Sequence, residues 1–348
     1  MEESQKVKLS IVMPVFNGVE LVIKMWQSII ANDFKDWELW AIDDGSTQDT
    51  FETLSNFAKT DERIHYIKRD RAPKGAQTCR NIGFEKADGE FIIFMDSDDY
   101  VAPECLRVRV QHLQNRPDID FMVFPSGTVQ SDKFNPEATL FAYGYNIYPD
   151  DVKAFASRTL PFVVWNNIYR TASLKEKHIS WNENLLSLQD ADFNLSSILS
   201  GLKYDYAKCP AYFGYRIDAN SNSISKKIIS KEHQQSHIYA INHFYQMIQQ
   251  QYRHKYDYAL YNGCLTIYNR VFEYAVDFEY ANRIASSIYQ YSHLYGAILY
   301  TQIALTKVLN HFVSGKRARQ IPMLLFLLQS NRHKFHSKPK RIKKNFIR

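Results

Sequence analysis

The chain has little of what builds covalent or metal frameworks. Its 348 residues include four cysteines, Cys79, Cys105, Cys209 and Cys264. None falls in a CxxC pair or beside a histidine at ligand spacing, so neither a disulfide framework nor a zinc site is expected, and the reducing cytosol is the natural compartment. No basic-then-apolar leader opens the chain, and the longest apolar stretch near the end, 321–328, is far short of the roughly 20 residues of a spanning helix. The expectation is a protein neither exported nor anchored by its own helix. No GxGxxG follows the first strand pattern and no GxxxxGK[ST] occurs, which argues against a dinucleotide oxidoreductase and a P-loop NTPase. The Gly- and Arg-rich loop of a sugar nucleotidyltransferase is missing too, because Pro14-Val15-Phe16-Asn17 stands in its place. Internal repeats and extended low-complexity tracts are also missing.

Acids are the most unevenly distributed residue type. None occurs after Glu279, so residues 280–348 carry thirteen Lys and Arg uncompensated, and the first 279 residues sum to −7 within a formal net charge of +6. An acidic front and a basic tail imply different partners. What is abundant is core material: 45% of residues are apolar and 14% aromatic, enough for a packed globular protein.

Short β-rich runs at 9–15, 37–42, 63–67, 91–95 and 121–124 alternate with helical patterns at 19–31, 50–58, 76–87 and 103–115. That order predicts a three-layer α/β domain with a mostly parallel central sheet. Residues 131–150 read as a long loop, 162–169 and 211–217 as strands, 190–199 as a helix, and 218–227 as a mobile loop or linker. From 228 to about 312 the spacing predicts a helical extension.

In parallel sheets ligands sit beyond the carboxyl ends of the strands. Asp96-Ser97-Asp98-Asp99 follows such a strand, and clustered carboxylates repel unless a cation or donor compensates. Hard oxygens suit Mg²⁺ or Mn²⁺, with substrate phosphates and water completing the shell; the alternative is a solvated acidic turn before a helix. Asp43-Asp44-Gly45-Ser46-Thr47 is a second acidic turn, where capping of the next helix competes with acceptance from a base or ribose.

Ser10-Ile-Val-Met-Pro-Val-Phe-Asn17, Ile42-Asp-Asp-Gly-Ser-Thr47, Cys79-Arg-Asn-Ile-Gly83, Ala87-Asp-Gly-Glu90 and Met95-Asp-Ser-Asp-Asp99 occur in order. They are followed by Val164-Trp-Asn-Asn-Ile-Tyr-Arg170, Leu188-Gln-Asp-Ala-Asp-Phe193, and Tyr215-Arg-Ile217 with Ser223 and Ser225. Over roughly the first 225 residues this series resembles the family 2 glycosyltransferases of the GT-A fold, of the bacterial surface-polysaccharide type. The resemblance implies that Pro14, Val15, Phe16, Asn17 and Asp44 hold the nucleobase and ribose of a donor, usually uridine. It implies that Lys74, Arg80 and Asn81 border the donor, Arg80 having an ordinary helix-surface charge as its alternative. It further implies that Asp96 and Ser97 meet donor ribose or sugar hydroxyls, that Asp98 binds Mn²⁺ or Mg²⁺, and that Asp190 is the catalytic base of an inverting hexosyl- or N-acetylhexosaminyltransferase. The family's usual Glu before that Asp is here Gln189. Asp192 is a rival base, expected instead to be an exposed or N-terminal helix charge, since two residues on a helix lie roughly 200° apart.

These expectations divide the chain into a catalytic domain at 1–225, a helical appendage at 226–315 and a basic tail at 316–348 associating with an anionic membrane. The expected partners are a UDP-sugar and a glycan or lipid-linked acceptor, not nucleic acid, since no reading module accompanies the basic cluster. The expected location is the cytoplasm, peripheral on the inner face of the plasma membrane. The competing class is an inactive GT-A-fold scaffold at the membrane, against which joint retention of Asp44, Asp96, Asp98 and Asp190 argues.

Overall fold

The computed structural model describes residues 8–137, 148–217, 230–274 and 277–312. The expected loop at 218–227 with Ser223 and Ser225, the middle of the expected loop at 131–150, and the basic tail 316–348 with its apolar run 321–328 lie outside the described residues.

The first half alternates as its pattern predicts: β1 (Leu9–Val15), α1 (Val19–Ile30), β2 (Trp37–Asp43), α2 (Gln48–Ala58), β3 (Ile64–Lys68), α3 (Ala76–Lys86) and β4 (Phe91–Phe94). Parallel strands covered on both faces read as continuous apolar runs, and β4 is buried at all four positions. In α1 the buried residues Val22, Met25, Trp26 and Ile29 form one stripe at helical spacing. Thr47 caps α2, its side chain accepting from Thr50 N at 3.4 Å.

Next come β5 (Tyr100–Val101), α4 (Cys105–Gln114), β6 (Phe121–Val123), β7 (Ser126–Gln130), β8 (Lys133–Asn135), α5 (Asp151–Ala156), β9 (Asn167–Arg170), α6 (Thr171–Glu176), α7 (Gln189–Leu199), β10 (Tyr204–Tyr206) and β11 (Phe213–Arg216). The central sheet has the order β10-β6-β9-β4-β1-β2-β3. Only β9 runs against the others. A smaller sheet, β5-β11-β7-β8, stands beside it.

Two expectations change. The apolar run at 162–169 is not one strand: a 3-10 turn, Val164–Asn166, precedes β9. Asn166 explains the bend, because its side chain accepts from Val163 N at 3.1 Å and donates to Phe124 O at 3.0 Å. The expected loop at 131–150 begins with β8, which pairs antiparallel with β7. Ser131 and Asp132 both have positive φ, 48° and 59°, as a tight two-residue hairpin turn requires.

The helical extension comprises α8 (Lys231–Tyr252), α9 (Asp257–Tyr274), α10 (Phe278–Tyr291) and α11 (His293–Phe312). Ser230 and Asp277 cap α8 and α10. Helix α8 packs on α7, and α9 on α5. One hydrophobic cluster therefore runs from the central sheet into Ile241, Phe244, Tyr245 and Ile248 of α8. No helix among the described residues is long and apolar enough to cross a membrane.

Helix α3 lies on β1 at Gly83, where an added Cβ would come within 2.5 Å of Val12 Cγ1. Gly83→Val is expected to destabilise the fold by about 1–3 kcal/mol through overpacking. Chemical denaturation should show the loss, and Val12→Ala in the same chain should recover part of it; no recovery would place the clash elsewhere.

Candidate active site

Strands β1, β2 and β4 run parallel, so the residues after them meet along one edge of the sheet. A cleft of about 770 Å³ opens there, closed on its far side by residues 186–190. Its lining includes Pro14, Val15, Phe16, Asn17, Asp44, Arg80, Asp96, Ser97, Asp98 and Asp190. Ten of the twelve expected site residues are thus gathered. Lys74 and Asn81 are not among those lining it.

The turns after β1 and β2 lock each other. Asn17, with φ of 55°, donates its backbone N–H to Ser46 Oγ at 2.8 Å, and its Oδ1 accepts from Thr47 N at 3.1 Å. Asp43 holds its own turn: Oδ2 accepts from Gly45 N and Ser46 N, and Oδ1 from Tyr66 Oη at 2.9 Å. Asp44 is buried, and its Oδ1 accepts from Arg69 Nε at 2.8 Å and Gly75 N at 2.9 Å. Phe16 stays 52% exposed at the cleft, and Lys74 Nζ lies 4.0 Å from its ring centroid. Lys74 is therefore at the rim, through Phe16.

Arg80 is 5% exposed, which removes its reading as a helix-surface charge. Its Nη2 donates to Asp96 Oδ1 at 2.6 Å and its Nη1 to Gln189 Oε1 at 3.2 Å, and the guanidinium lies 4.4 Å from the Trp181 ring. Asn81, one step along α3, faces the other way. Its amide donates to Trp181 O and Glu183 Oε1, and its Oδ1 accepts from Trp181 N. Its side chain is thus engaged on the 181–183 segment, and Asn81 does not line the cleft it was expected to border.

Burial, reinforced by the Asp96 charge, pushes the Asp98 carboxyl up to about 6, although Arg216 pulls against this. No other described residue donates a hydrogen bond to it. Its neighbour Asp99 is buried and raised too, by burial and by the Asp98 and Asp96 charges. Arg216 pins this turn: its N–H donates to Asp99 Oδ1 at 2.9 Å, its Nε to Asp98 O at 2.8 Å, and its Nη1 to Asp132 Oδ1 at 2.9 Å. Among the described residues no group of three or more His, Cys, Asp or Glu makes a ready cage for a metal. Asp98 with Asp96 nevertheless fits a hard divalent cation that takes one or two carboxylates and completes its shell with phosphate and water. Carboxylates crowded enough to raise a proton affinity have an unmet demand for positive charge.

Asp190 stands in the first turn of α7. Burial pushes its carboxyl up to about 6; Arg80 lowers it and Asp96 raises it further. Its Oδ1 is shielded from solvent and has no hydrogen-bond partner. Gln189 is fixed by three bonds, accepting from Arg80 and donating through Nε2 to Gln77 Oε1 at 2.7 Å and Leu185 O at 2.9 Å. A glutamate here could pair with Arg80 but could donate to neither oxygen. Asp192 faces away from the cleft, as helical spacing requires, yet it is 2% exposed rather than on the surface. His243 Nε2 of α8 lies 3.1 Å from its Oδ1, so the exposed alternative is corrected, whereas the N-terminal one agrees with its place in the first turn of α7.

Three features of the site went unread in the sequence: Arg69 on Asp44, the role of Arg216, and Leu188, which precedes α7 in the left-handed region with φ of 68°. Arg69 follows β3 at the same strand edge as Asp44, and the edge rule that picked out Asp44 would have found it. For a leucine this backbone conformation costs of order 1–3 kcal/mol, and no sequence signal marks it.

Residues 10–176, just under half of the chain, match the family model "Glycosyl transferase family 2". It is 38% identical over 104 residues to the GalNAc(5)-diNAcBac-PP-undecaprenol β-1,3-glucosyltransferase of Campylobacter jejuni, covering 30% of this chain and 34% of that protein. It is 24% identical over 232 residues to the poly(ribitol-phosphate) β-N-acetylglucosaminyltransferase TarS of Staphylococcus aureus, covering 65% of this chain and 38% of that one. The chain thus spans little more than a third of the length of these two relatives. The crystal structure of S. aureus TarS 1–349 in complex with UDP-GlcNAc superposes with a TM-score of 0.63 at 18% identity, covering 94% of this chain and 91% of that one. The fold is therefore the GT-A glycosyltransferase fold with a helical C-terminal part.

Arg80 holds the Asp190 carboxyl down against burial and Asp96. Arg80→Met is expected to move the Asp190 titration midpoint upward from about 6. Carboxyl-carbon NMR on aspartate-labelled protein reads this directly; an unmoved midpoint would disconnect Arg80 from Asp190.

Proposed function

We propose that the chain is an inverting glycosyltransferase that moves a hexose or N-acetylhexosamine from a UDP-sugar to a hydroxyl of a glycan or lipid-linked acceptor. The observation that carries this reading is the convergence of Asp44, Asp96, Asp98 and Asp190 on one cleft from three separate places in the chain. The family-model match over residues 10–176 supports it, as do the UDP-GlcNAc complex and polymer acceptor named for the S. aureus relative.

Asp44 and the backbone around Pro14 to Asn17 accept and donate to the nucleobase and ribose, with the Phe16 ring and Lys74 at the rim. Asp96, steadied by Arg80, takes ribose or sugar hydroxyls together with Ser97. Asp98, with Asp96, would hold Mn²⁺ or Mg²⁺, which when bound neutralises charge on the departing diphosphate. Asp190 removes the acceptor hydroxyl's proton as that oxygen attacks the anomeric carbon opposite the leaving group. The new glycosidic bond forms, the bond to diphosphate breaks, and the configuration inverts. In the productive complex the Asp190 oxygen must come within about 2.6–3.2 Å of the hydroxyl. A base near 6 is ionised at neutral pH yet retains basicity.

Asp98→Ala is expected to abolish Mn²⁺-dependent release of UDP from UDP-sugars; unchanged release at saturating donor sinks the metal role. Asp190→Asn should keep UDP binding and lower transfer by about 10²- to 10⁴-fold. Because the base works ionised, transfer by the wild-type chain should fall as pH drops below about 6 and hold above it. If Asp192→Asn is the more damaging change, the base is misassigned.

We also propose that the segment 316–348 docks the protein on the cytoplasmic face of an anionic membrane. Its eleven Lys and Arg have no acid among them. Each is worth about 1 kcal/mol within a Debye length of about 8 Å. Helix α11, which leads toward it, leaves Leu294, Leu305 and Val308 exposed. Sedimentation with liposomes of graded anionic content should bring down the full chain and spare a chain ending at Gly315; equal sedimentation eliminates the docking role.

A further inference from the structure

The segment that carries Asp190 is gripped from outside the catalytic sheet. Leu186 N donates to Ser236 Oγ at 2.9 Å, and Ser187 Oγ lies 2.7 Å from His233 Nδ1. Both partners belong to α8, and both are buried. They act on the two residues before Leu188, whose left-handed backbone is unfavourable for any residue with a Cβ other than Asn or Asp. On the other side of Leu188, Gln189 is fixed by Arg80, Gln77 and Leu185 O, and Asp192 N closes on Leu188 O at 3.0 Å. A strained residue persists only where its surroundings over-determine it. Here it sits two residues before Asp190, whose Oδ1 is held in the cleft wall by no hydrogen bond of its own.

We propose that His233 and Ser236 of α8 are positioning residues for the transfer reaction: they hold residues 186–188 in the strained conformation and through it aim the Asp190 carboxylate at the acceptor side of the cleft. This rests on the reading of Asp190 as the base. The donor side is built on β1, β2, α3 and β4, which α8 does not touch through these contacts, so the effect is confined to proton removal and spares nucleotide binding.

The test uses the full chain, Mn²⁺, and whichever of UDP-glucose, UDP-galactose, UDP-GlcNAc or UDP-GalNAc it hydrolyses fastest, with water as the acceptor. The double variant His233→Ala/Ser236→Ala is expected to lose about 10²-fold in turnover, the scale of a 1 Å misplacement, with the dissociation constant of UDP unchanged. Leu188→Gly or Leu188→Asn added to it should restore much of the turnover, because those residues take positive φ at little cost. Leu188→Ala, which removes the same side chain without easing the backbone, should not. Wild-type turnover in the double variant overturns the proposal, as does loss of UDP binding or equal behaviour of the Gly, Asn and Ala variants. Wild-type turnover in Asp190→Asn instead overturns the assignment of the base, a separate failure read from a separate variant.

Discussion

A guanidinium buried to 5% exposure needs partners for its charge, and Arg80 finds them in three directions, its Nε alone being buried without a hydrogen-bond partner among the described residues. Asp96 comes from the turn after β4, Gln189 from the start of α7, and the Trp181 ring from the segment before α7. These parts are distant in sequence and would otherwise meet only through general packing. Trp181 passes the constraint inward, stacking on Phe193 with centroids 4.5 Å apart and meeting Phe94 of β4 edge-on at 5.3 Å. The next residue of α3, Asn81, brackets the backbone of the same segment from behind. Two adjacent residues on one helix, about 100° apart, thus fix both the cleft-facing and core-facing sides of the 181–189 stretch.

How far the sequence was legible follows from what each element is made of. The strands β1 to β4 and helices α1 to α4 were readable because apolar runs and amphipathic stripes alternate there with turn residues at each boundary. β5, β7, β8 and β10 were not, being short and poor in the long apolar runs that announce a buried strand; Ser126-Gly127-Thr128 opens β7 with no large side chain at all. In the site, residues directly after parallel strands could be named from strand order alone. Asn81 could not be separated from Arg80, since a motif gives positions and not the direction in which side chains leave a helix. The exposure of Asp192, though not its place in the first turn of α7, was misjudged for a related reason. The expectation weighed its own helix and not α8, whose His243 covers it.

The helical part belongs to the site's construction as much as to its exterior. The hydrophobic cluster that begins at β1 continues without a break into α8, α9 and α10. Tyr245 and Tyr291 stack 5.1 Å apart between α8 and α10. Burial on this scale makes α8 a rigid surface against which α7 and the segment before it are set, and rigidity is what a strained backbone needs in its support.

The cleft's four carboxylates are divided by their surroundings into two kinds. Asp44 is hydrogen-bonded by Arg69 and Asp96 by Arg80, so their charges are met inside the protein. The Asp98 and Asp190 carboxyls accept no hydrogen bond from an arginine among the described residues, Arg216 reaching only the Asp98 carbonyl, and these are the two carboxyls that burial pushes up to about 6. A compensated carboxylate is a fixed acceptor, suited to holding hydroxyls in place. An uncompensated one gains most from a new positive charge or proton, because that relieves the desolvation it suffers when ionised. The same burial therefore leaves both carboxyls with much to gain from a cation or a proton. Their positions differ: Asp98 lies at the strand edge under the charge of Asp96 and beside Asp99, whereas Asp190 stands in the first turn of α7, where the Arg80 charge offsets part of the effect of burial.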